Sequence, residues 1–447
     1  MTPPACVSSI VFAKPNILLL VHRVPFPPNR GDRVRSWQLV KWLAARSQLD
    51  LACLADEPVP GETRDKLTSV CRRVAIEPVG GLSRWANAAC SLLAGRTATA
   101  GLFSSSRLRR TINEWSRDKK KYDAVVVFCS SMAPYLNSPG LGGVPAVVDF
   151  VDVDSQKWLD YAAKARGIKR TLFSLEGRRM QRLERSVCQR ATSVIVVSRD
   201  EADLLRATSP EAPVRAIENG VDLEYFHADV NASDPSTESN EVVFVGALDY
   251  RANIDGVVWF CQHVWPQVRD RNPNAQLSLV GRRPAAAVGA LDRLPGVSVV
   301  ADVPDVRPYL SRAAVVVAPL RIARGIQNKV LEAAAMAKAI VASPQALTGL
   351  ELRHDEHAIC APDPQAWVVA LADLLASPDR RRRLGRNARS LVEQQYRWEA
   401  RLAPLEGILA AAMARTDLPR TAKHHSKANL PADDPTSAPC VAALNDS

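Results

Sequence analysis

The stretch RGIQNKVLEAAAMAKAIVAS, residues 324–343, decides how this chain reads. A polar, glycine-containing loop over 324–328 runs into an alanine-rich helix, which runs into an apolar strand over 339–342. Val330, Ala333, Ala334 and Ala337 recur at helical spacing and give the helix a small-residue face for close packing. Glu332 lies off that face, in the first turn, near the positive end of the helix dipole. Backbone N–H groups of Gly325, Ile326 and Gln327, with Arg324, Asn328 and Lys329 beside them, form a seat for a phosphate or diphosphate. A carboxylate next to such a seat is badly placed to hold another anion and well placed to accept hydrogen bonds from sugar hydroxyls. The stretch therefore reads as a nucleotide-sugar site. An ordinary alanine-rich helix with a solvated cationic start fits the same letters, so the rest of the chain has to decide.

Outward from this unit, apolar strand-like runs alternate with helix-like segments, the pattern of a parallel α/β architecture. One set falls at 17–21, 50–54, 74–76, 123–128, 146–150 and 193–197, and a second at 242–245, 277–280, 297–300, 314–318 and 339–342. Between the sets, Asn219-Gly220 is a turn signal, and the Asn/Ser/Asp/Pro-rich run over 231–240 reads as a polar loop. At 447 residues the chain is too long for one ordinary core and suits two such domains. The expected division is a first domain over 14–222, a second over 223–395, a crossover helix over 396–413 and a disordered, Pro/Ala/Asp/Ser/His-rich tail over 414–447.

Composition narrows the function. Hydrophobic residues make up 47% of the chain, yet no uninterrupted apolar run approaches the roughly 20 residues of a membrane-spanning helix. The N-terminal segment lacks a basic n-region and is broken by Lys14-Pro15, so export is not expected. Nine scattered cysteines with no Cys-x-x-Cys spacing suit reduced thiols in a cytoplasmic protein. His354 and His357, around Asp355 and Glu356, read as a polar loop and not as a metal site. The net charge of +11 favours an anionic partner, but no nucleic-acid recognition module accompanies it.

Two further clusters stand at strand ends, where open sheets bind ligands. After the first strand, Arg30, Gly31, Arg33 and Arg35 lead into a helix. Gly31 allows close backbone approach and the helix start favours negative charge, so Gly31, Arg33 and Arg35 are cleft candidates. Asp149, Asp152, Asp154 and Ser155 lie at or after the end of the 146–150 strand. Asp152-x-Asp154 resembles the carboxylate pair that holds Mg²⁺ or Mn²⁺ on a diphosphate in metal-dependent glycosyltransferases, but nothing else of their architecture is present. Capping of the next helix is the alternative use of these carboxylates.

The segment over 324–343 resembles the donor-site signature of family 4 glycosyltransferases, enzymes of the two-Rossmann GT-B architecture. That signature carries two glutamates separated by seven residues, then an Ala-Met-Ala-type run and a strand. Glu332 matches the second glutamate, which in the family binds ribose hydroxyls; Arg324 occupies the place of the first, which contacts the donor hexose. The Arg-Gly-Ile-Gln-Asn-Lys version resembles a sub-branch from exosortase-associated exopolysaccharide clusters. Asn219-Gly220-Val221-Asp222, followed by Tyr225 and Phe226, resembles the hinge between the family's two domains, and Tyr396–Trp398–Glu399 the start of its returning helix. The resemblance further implies that Gly246 and Arg251 form a diphosphate-binding loop, Asn253 capping its helix, that Gly281 with Arg282 borders the base, and that Asp305 is either a cap or a base contact. Aligned on the strand end, Val151 replaces a family histidine and Asp152 matches the aspartate beside the reacting sugar, with Asp154 behind it. Asp152, Arg324 and Lys329 are thus the catalytic candidates. Gly246, Arg251, Gly281, Gly325, Ile326, Gln327, Asn328 and Glu332 are the donor-binding ones.

The expected fold is α/β of GT-B type, two Rossmann-like domains facing across a cleft with a C-terminal helix crossing back. The expected activity is retaining transfer from a nucleotide-sugar to a lipid-linked or oligosaccharide acceptor in bacterial exopolysaccharide synthesis, with no metal or other cofactor. Two alternatives remain open at this level: a non-catalytic nucleotide-sugar-binding subunit, or a GT-B-like epimerase or phosphorylase. Basic helical stretches over 106–121 and 156–190, interleaved with Trp115, Trp158, Tyr161 and Phe173, could dock the first domain on the anionic inner face of a membrane.

Overall fold

The computed structural model describes residues 14–117, 122–227, 239–323 and 325–414. Arg324, most of the expected polar loop and the tail beyond 414 lie outside the described residues.

Two parallel sheets organise the chain. In the first, β1 (Asn16–Val21), β2 (Gln48–Ala55), β3 (Arg73–Pro78), β4 (Ala124–Phe128), β5 (Ala146–Val151), β6 (Ser193–Val196) and β7 (Val214–Ala216) adopt the order β3-β2-β1-β4-β5-β6-β7. In the second, β8 (Glu241–Val245), β9 (Gln276–Gly281), β10 (Val297–Ala301), β11 (Val315–Ala318), β12 (Ala339–Ala342) and β13 (Ile359–Cys360) adopt the order β10-β9-β8-β11-β12-β13. The first six strands of each sheet follow the doubly wound 3-2-1-4-5-6 pattern, so a crevice opens where the order reverses, beside β1 and β4 and beside β8 and β11. Central strands such as LLLV of β1 are buried on both faces, which is why they carry almost no polar letters. β7 and β13 were not expected from the sequence. They are edge strands of three and two residues, too short to register as periodic runs.

Helices cover the two sheets, among them α1 (Gly31–Arg46), α2 (Gly81–Leu93), α3 (Asp154–Lys164), α4 (Gly167–Arg190), α5 (Arg251–His263), α6 (Asn328–Ala335), α7 (Pro378–Gln395), α8 (Trp398–Leu402) and α9 (Pro404–Ala414). The chain crosses back at its end: Trp398, Leu402, Leu405, Ile408 and Leu409 are buried in the core of the first domain. The link is anchored where Val221 N–H donates to the Tyr396 carbonyl (2.7 Å) and Arg401 pairs with Glu218 (2.9 Å). A methyl at Gly220 would fall 2.7 Å from that same carbonyl, so the Asn-Gly of the hinge is a close-packing requirement as well as a turn. Ala337, expected on the packing face of α6, instead lies past the helix end at φ 52°. Its carbonyl would sit 1.9 Å from a methyl at Gly385, so α7 closes directly over this turn.

Candidate functional site

The second-domain wall begins with the turn after β8. Gly246 N–H donates to the Val280 carbonyl (3.0 Å) and Leu248 N–H to the Arg282 carbonyl (3.0 Å), which laces the turn onto the end of β9. Gly281 makes this possible, since a methyl there would fall 1.7 Å from the Gly246 carbonyl oxygen. Its glycine identity is thus accounted for by packing of the loop, with no ligand needed. Asn253, expected as a helix cap, instead donates from Nδ2 to the Ala247 carbonyl (2.8 Å) from inside the first turn of α5.

Lys329 reaches into this turn. Its Nζ donates to Asn253 Oδ1 (2.6 Å) and lies 4.5 Å from the centre of the Phe244 ring. A methyl at Gly246 would come within 2.9 Å of that Nζ, so glycine leaves the ammonium its place. Burial drives the Lys329 ammonium well below its usual range and the Glu332 carboxyl above its own, while attraction between the two charges opposes both shifts. A cation and a carboxylate, one helical turn apart, are thus held in a poorly solvated pocket. The Glu332 side chain makes no hydrogen bond to another described residue. Arg251 is exposed at the first position of α5. Asp305 holds Arg307 and accepts from the Tyr225 hydroxyl (3.2 Å).

The loop before α6 carries the approach of the two domains. Gly325 has φ 60°, a left-handed conformation that favours glycine. A methyl on it would lie 3.2 Å from Val197 Cγ2 and 3.5 Å from Asp152 Oδ1, both in the first domain. The Ile326 side chain is buried in the second-domain core and anchors the loop there, which leaves its backbone N–H as the group that could face a ligand. Gln327 donates to the Gly325 carbonyl (3.3 Å). Asn328 Oδ1 accepts from Asn219 Nδ2 (3.1 Å), and a methyl at Gly31 would stand 3.9 Å from Asn328 Nδ2. The starts of α1 and α6 therefore face each other across the crevice.

On the first-domain wall, two expected cleft cations are turned inward. Arg35, 1% exposed, donates from Nε to Asp149 Oδ2 (2.8 Å) and from Nη1 to Asn219 Oδ1 (2.9 Å). Arg33, also buried, pairs with Glu57 and donates to Asn29 Oδ1 (3.3 Å). Both correct the reading of these residues as cleft-facing charges. Arg35 instead closes a chain, Asp149–Arg35–Asn219–Asn328, that runs from the end of β5 through the hinge to the start of α6. Gln38 and Lys41 extend it by holding Asp222 at 2.9 and 3.3 Å. Sequence reading missed a further network at the end of β1, where Asp32 meets His22 (3.2 Å) and Arg23 (2.8 Å), and Arg23 also meets Asp56 (2.8 Å). Against its burial, the hydrogen bond with His22 and the neighbouring Arg23 guanidinium hold the Asp32 carboxyl well below its usual range.

The end of β5 is strained. Val151, a β-branched residue, has φ 68°, and Asp152 N–H donates back to the Phe150 carbonyl (2.9 Å) across it. The turn aims Asp152 at Gly325. The carboxylates of this region do not share the capping duty that the sequence suggested as their alternative use. The first N–H groups of the next helix are taken by Glu201 (Val153 N–H, 2.6 Å) and Glu184 (Ser155 N–H, 2.9 Å). Asp154 accepts from the Ser130 hydroxyl. Burial pushes Asp152 up to about 7, and the charges of Glu201 and Asp154 add to the rise.

That shift has a measurable consequence. Because the folded state holds the Asp152 proton more tightly than the unfolded chain, this group's contribution is full below its ordinary pKa of 3.8 and is lost as pH rises through about 7. Asp152→Asn is therefore expected to gain thermal stability relative to the parent as pH goes from 5 to 8. A melting-temperature difference that stays constant over that range would contradict the shift.

Comparisons with known proteins agree with this geometry. Residues 19–220 match the family described as "Glycosyl transferase 4-like domain", and residues 239–377 match "Glycosyl transferases group 1". No curated protein matches the chain. Among solved structures, sucrose-phosphate synthase from Thermosynechococcus elongatus aligns with a TM-score of 0.63 at 19% identity, over 90% of this chain and 100% of that one. Anabaena HepE in complex with UDP and glucose aligns with a TM-score of 0.63 at 12% identity, over 88% and 99%. WaaG, described as a glycosyltransferase involved in lipopolysaccharide biosynthesis, aligns with a TM-score of 0.63 at 14% identity, over 88% and 99%. The chain is a glycosyltransferase of the family 4, GT-B type, a 4-like domain followed by a group 1 domain.

Proposed function

We propose that the enzyme moves a sugar from a nucleoside-diphosphate donor to a lipid-linked saccharide of a bacterial exopolysaccharide, with retention and without a metal, on the cytoplasmic side of the membrane. One observation carries the donor assignment: Lys329 and Glu332 stand one helical turn apart at the second-domain wall of the crevice, with the lysine seated in the Gly246 turn. A diphosphate at that turn would meet the ammonium, and ribose hydroxyls would meet the carboxylate. HepE, similar in fold, has been solved in complex with UDP and with UDP-glucose. Charge growing on the leaving phosphate oxygen is then stabilised without a metal ion, and the same oxygen assists attack from the departing face. Asp152, beside Gly325, stands where the acceptor hydroxyl would approach, and hinge closure excludes the water that would hydrolyse the donor.

The test is radiolabelled transfer into a membrane extract across a panel of UDP- and GDP-sugars. Incorporation from one donor into a lipid-extractable product supports the reading. Nucleotide binding without turnover would support a binding subunit, and donor hydrolysis or epimerisation without acceptor the other alternative. Glu332→Ala is expected to weaken donor affinity about 10- to 100-fold, the loss of hydrogen bonds to a charged group, with the fold retained. Calorimetric titration with UDP-sugar reads this directly, and unaltered affinity would remove Glu332 from the site.

A further inference from the structure

Five arginines, Arg96, Arg109, Arg179, Arg182 and Arg190, line a cavity of about 690 Å³ on the outside of the first domain, and no carboxylate lines it with them. Its walls are the turn after α2, the segment around Pro134 and Asn137, and one face of α4. The arginines are braced but not neutralised. Arg179 donates from Nη1 to the carbonyls of Leu92 (2.9 Å) and Arg96 (3.0 Å) and leaves its buried Nε without a partner. Arg190 donates to Asn137 Oδ1 (2.7 Å), and Arg109 to the Pro134 carbonyl (3.3 Å). Neither Arg96 nor Arg182 has a side-chain hydrogen bond or ion pair with another described residue. Neutral partners thus fix the geometry of a strongly positive pocket and leave most of its donors for an anion.

The surroundings are apolar. On α4, Ile168, Leu172, Leu175, Arg179, Arg182 and Ser186 fall on one helical face, so the stripe that ends in the pocket begins with three exposed aliphatic side chains, 77%, 53% and 38% exposed. On α2, Leu82, Trp85 and Leu93 likewise share one outward face, 89%, 67% and 89% exposed. The two helices are fastened together by the Arg179 bonds and by Glu176, which accepts from Ala98 N–H (2.8 Å) and Thr99 N–H (2.9 Å) in the chain leaving α2. Six of the eleven large hydrophobic side chains found exposed in the described residues belong to these two helices.

We propose that this face docks the enzyme on an anionic phospholipid bilayer, a lipid phosphate entering the arginine pocket while Trp85 and the neighbouring leucines enter the interface. Charge complementarity selects a bilayer over a protein partner: the pocket is cationic throughout, and the flanking apolar side chains are long, separate and outward, as in interfacial helices. α4 returns antiparallel to the strands, so its apolar end lies toward the crevice, the end at which a lipid-linked acceptor would be presented. Residues of α2 and Ile168, Leu172 and Leu175 play the apolar part, not the aromatics Trp158, Tyr161 and Phe173, which pack on one another with ring centres 5.5–6.2 Å apart.

The proposal leans on the lipid-linked acceptor of the proposed function, yet vesicle binding needs neither donor nor acceptor, so the two readings fail separately. Flotation of the full chain with phosphatidylcholine vesicles and with vesicles containing phosphatidylglycerol tests it. Binding is expected to the anionic vesicles only, to fall at least about tenfold in the double variant Arg96→Glu/Arg182→Glu, and to fall again in Trp85→Ser. Retained UDP binding shows that each variant is folded. Equal binding to neutral vesicles, or binding indifferent to the arginine pair or to Trp85, would overturn the proposal. So would saturation of the pocket by inorganic phosphate with no vesicle binding, which would mark a site for a soluble anion.

Discussion

Lys329→Ala is expected to lower kcat by about 10²–10³, equivalent to about 3–4 kcal/mol of barrier, while KM for the donor changes far less. The argument starts from placement. Lys329 is held by Asn253 beneath a turn that has room for its ammonium only because residue 246 is glycine. Burial already makes the charged form costly there, so the charge is retained at its full effect only when an anion arrives. If that anion is a leaving diphosphate, its charge increases on the way to the transition state, and the lysine contributes more there than in the ground state. A variant that lost affinity and kcat/KM together with unchanged kcat would show a uniform binding role. Lys329→Arg separates charge from shape: the Asn253 bond and the space under Gly246 fit an ammonium, so arginine is expected to rescue poorly.

All strands but the short edge strands β7 and β13 were legible because a doubly covered parallel sheet demands nearly continuous apolar runs, as in the 17–21 and 314–318 segments. The Gly246 turn was legible for a related reason: it stands directly after a central strand, where the topology opens a crevice, whereas Lys329 stood out at the start of the helix that follows the glycine-containing loop. Arg33 and Arg35 show the limit. Their spacing placed them at the start of α1 but could not say which way they face. The deciding partners, Glu57 and Asp149, lie 24 and 114 residues away in the chain. Asp152 was ambiguous between ligand and cap until Glu184 and Glu201, from other helices, were found on the cap positions. The His22–Asp32–Arg23 network left no pattern at all, since its members do not follow one spacing and its geometry depends on the loop between β1 and α1.

Arg35→Ala is expected to destabilise the first domain by about 3–5 kcal/mol, because Asp149, itself 3% exposed, would be left buried and unpaired. Only the bond from Val151 N–H to Asp149 Oδ1 (3.0 Å) would remain to it. The variant also cuts the link to Asn219, and through it to Asn328 at the start of α6, so donor affinity is expected to fall as a second consequence. Denaturant unfolding followed by a probe of each domain measures the first effect, and titration with UDP-sugar the second. The double substitution Arg35→Met/Asp149→Leu separates them: an apolar pair of similar volume restores much of the stability. The severed Asn219 contact stays severed, so affinity stays low. Had Arg35 been the cleft-facing cation that its position in the sequence suggested, Arg35→Ala would leave the unfolding transition in place and weaken ligand binding alone, an outcome that would refute the brace.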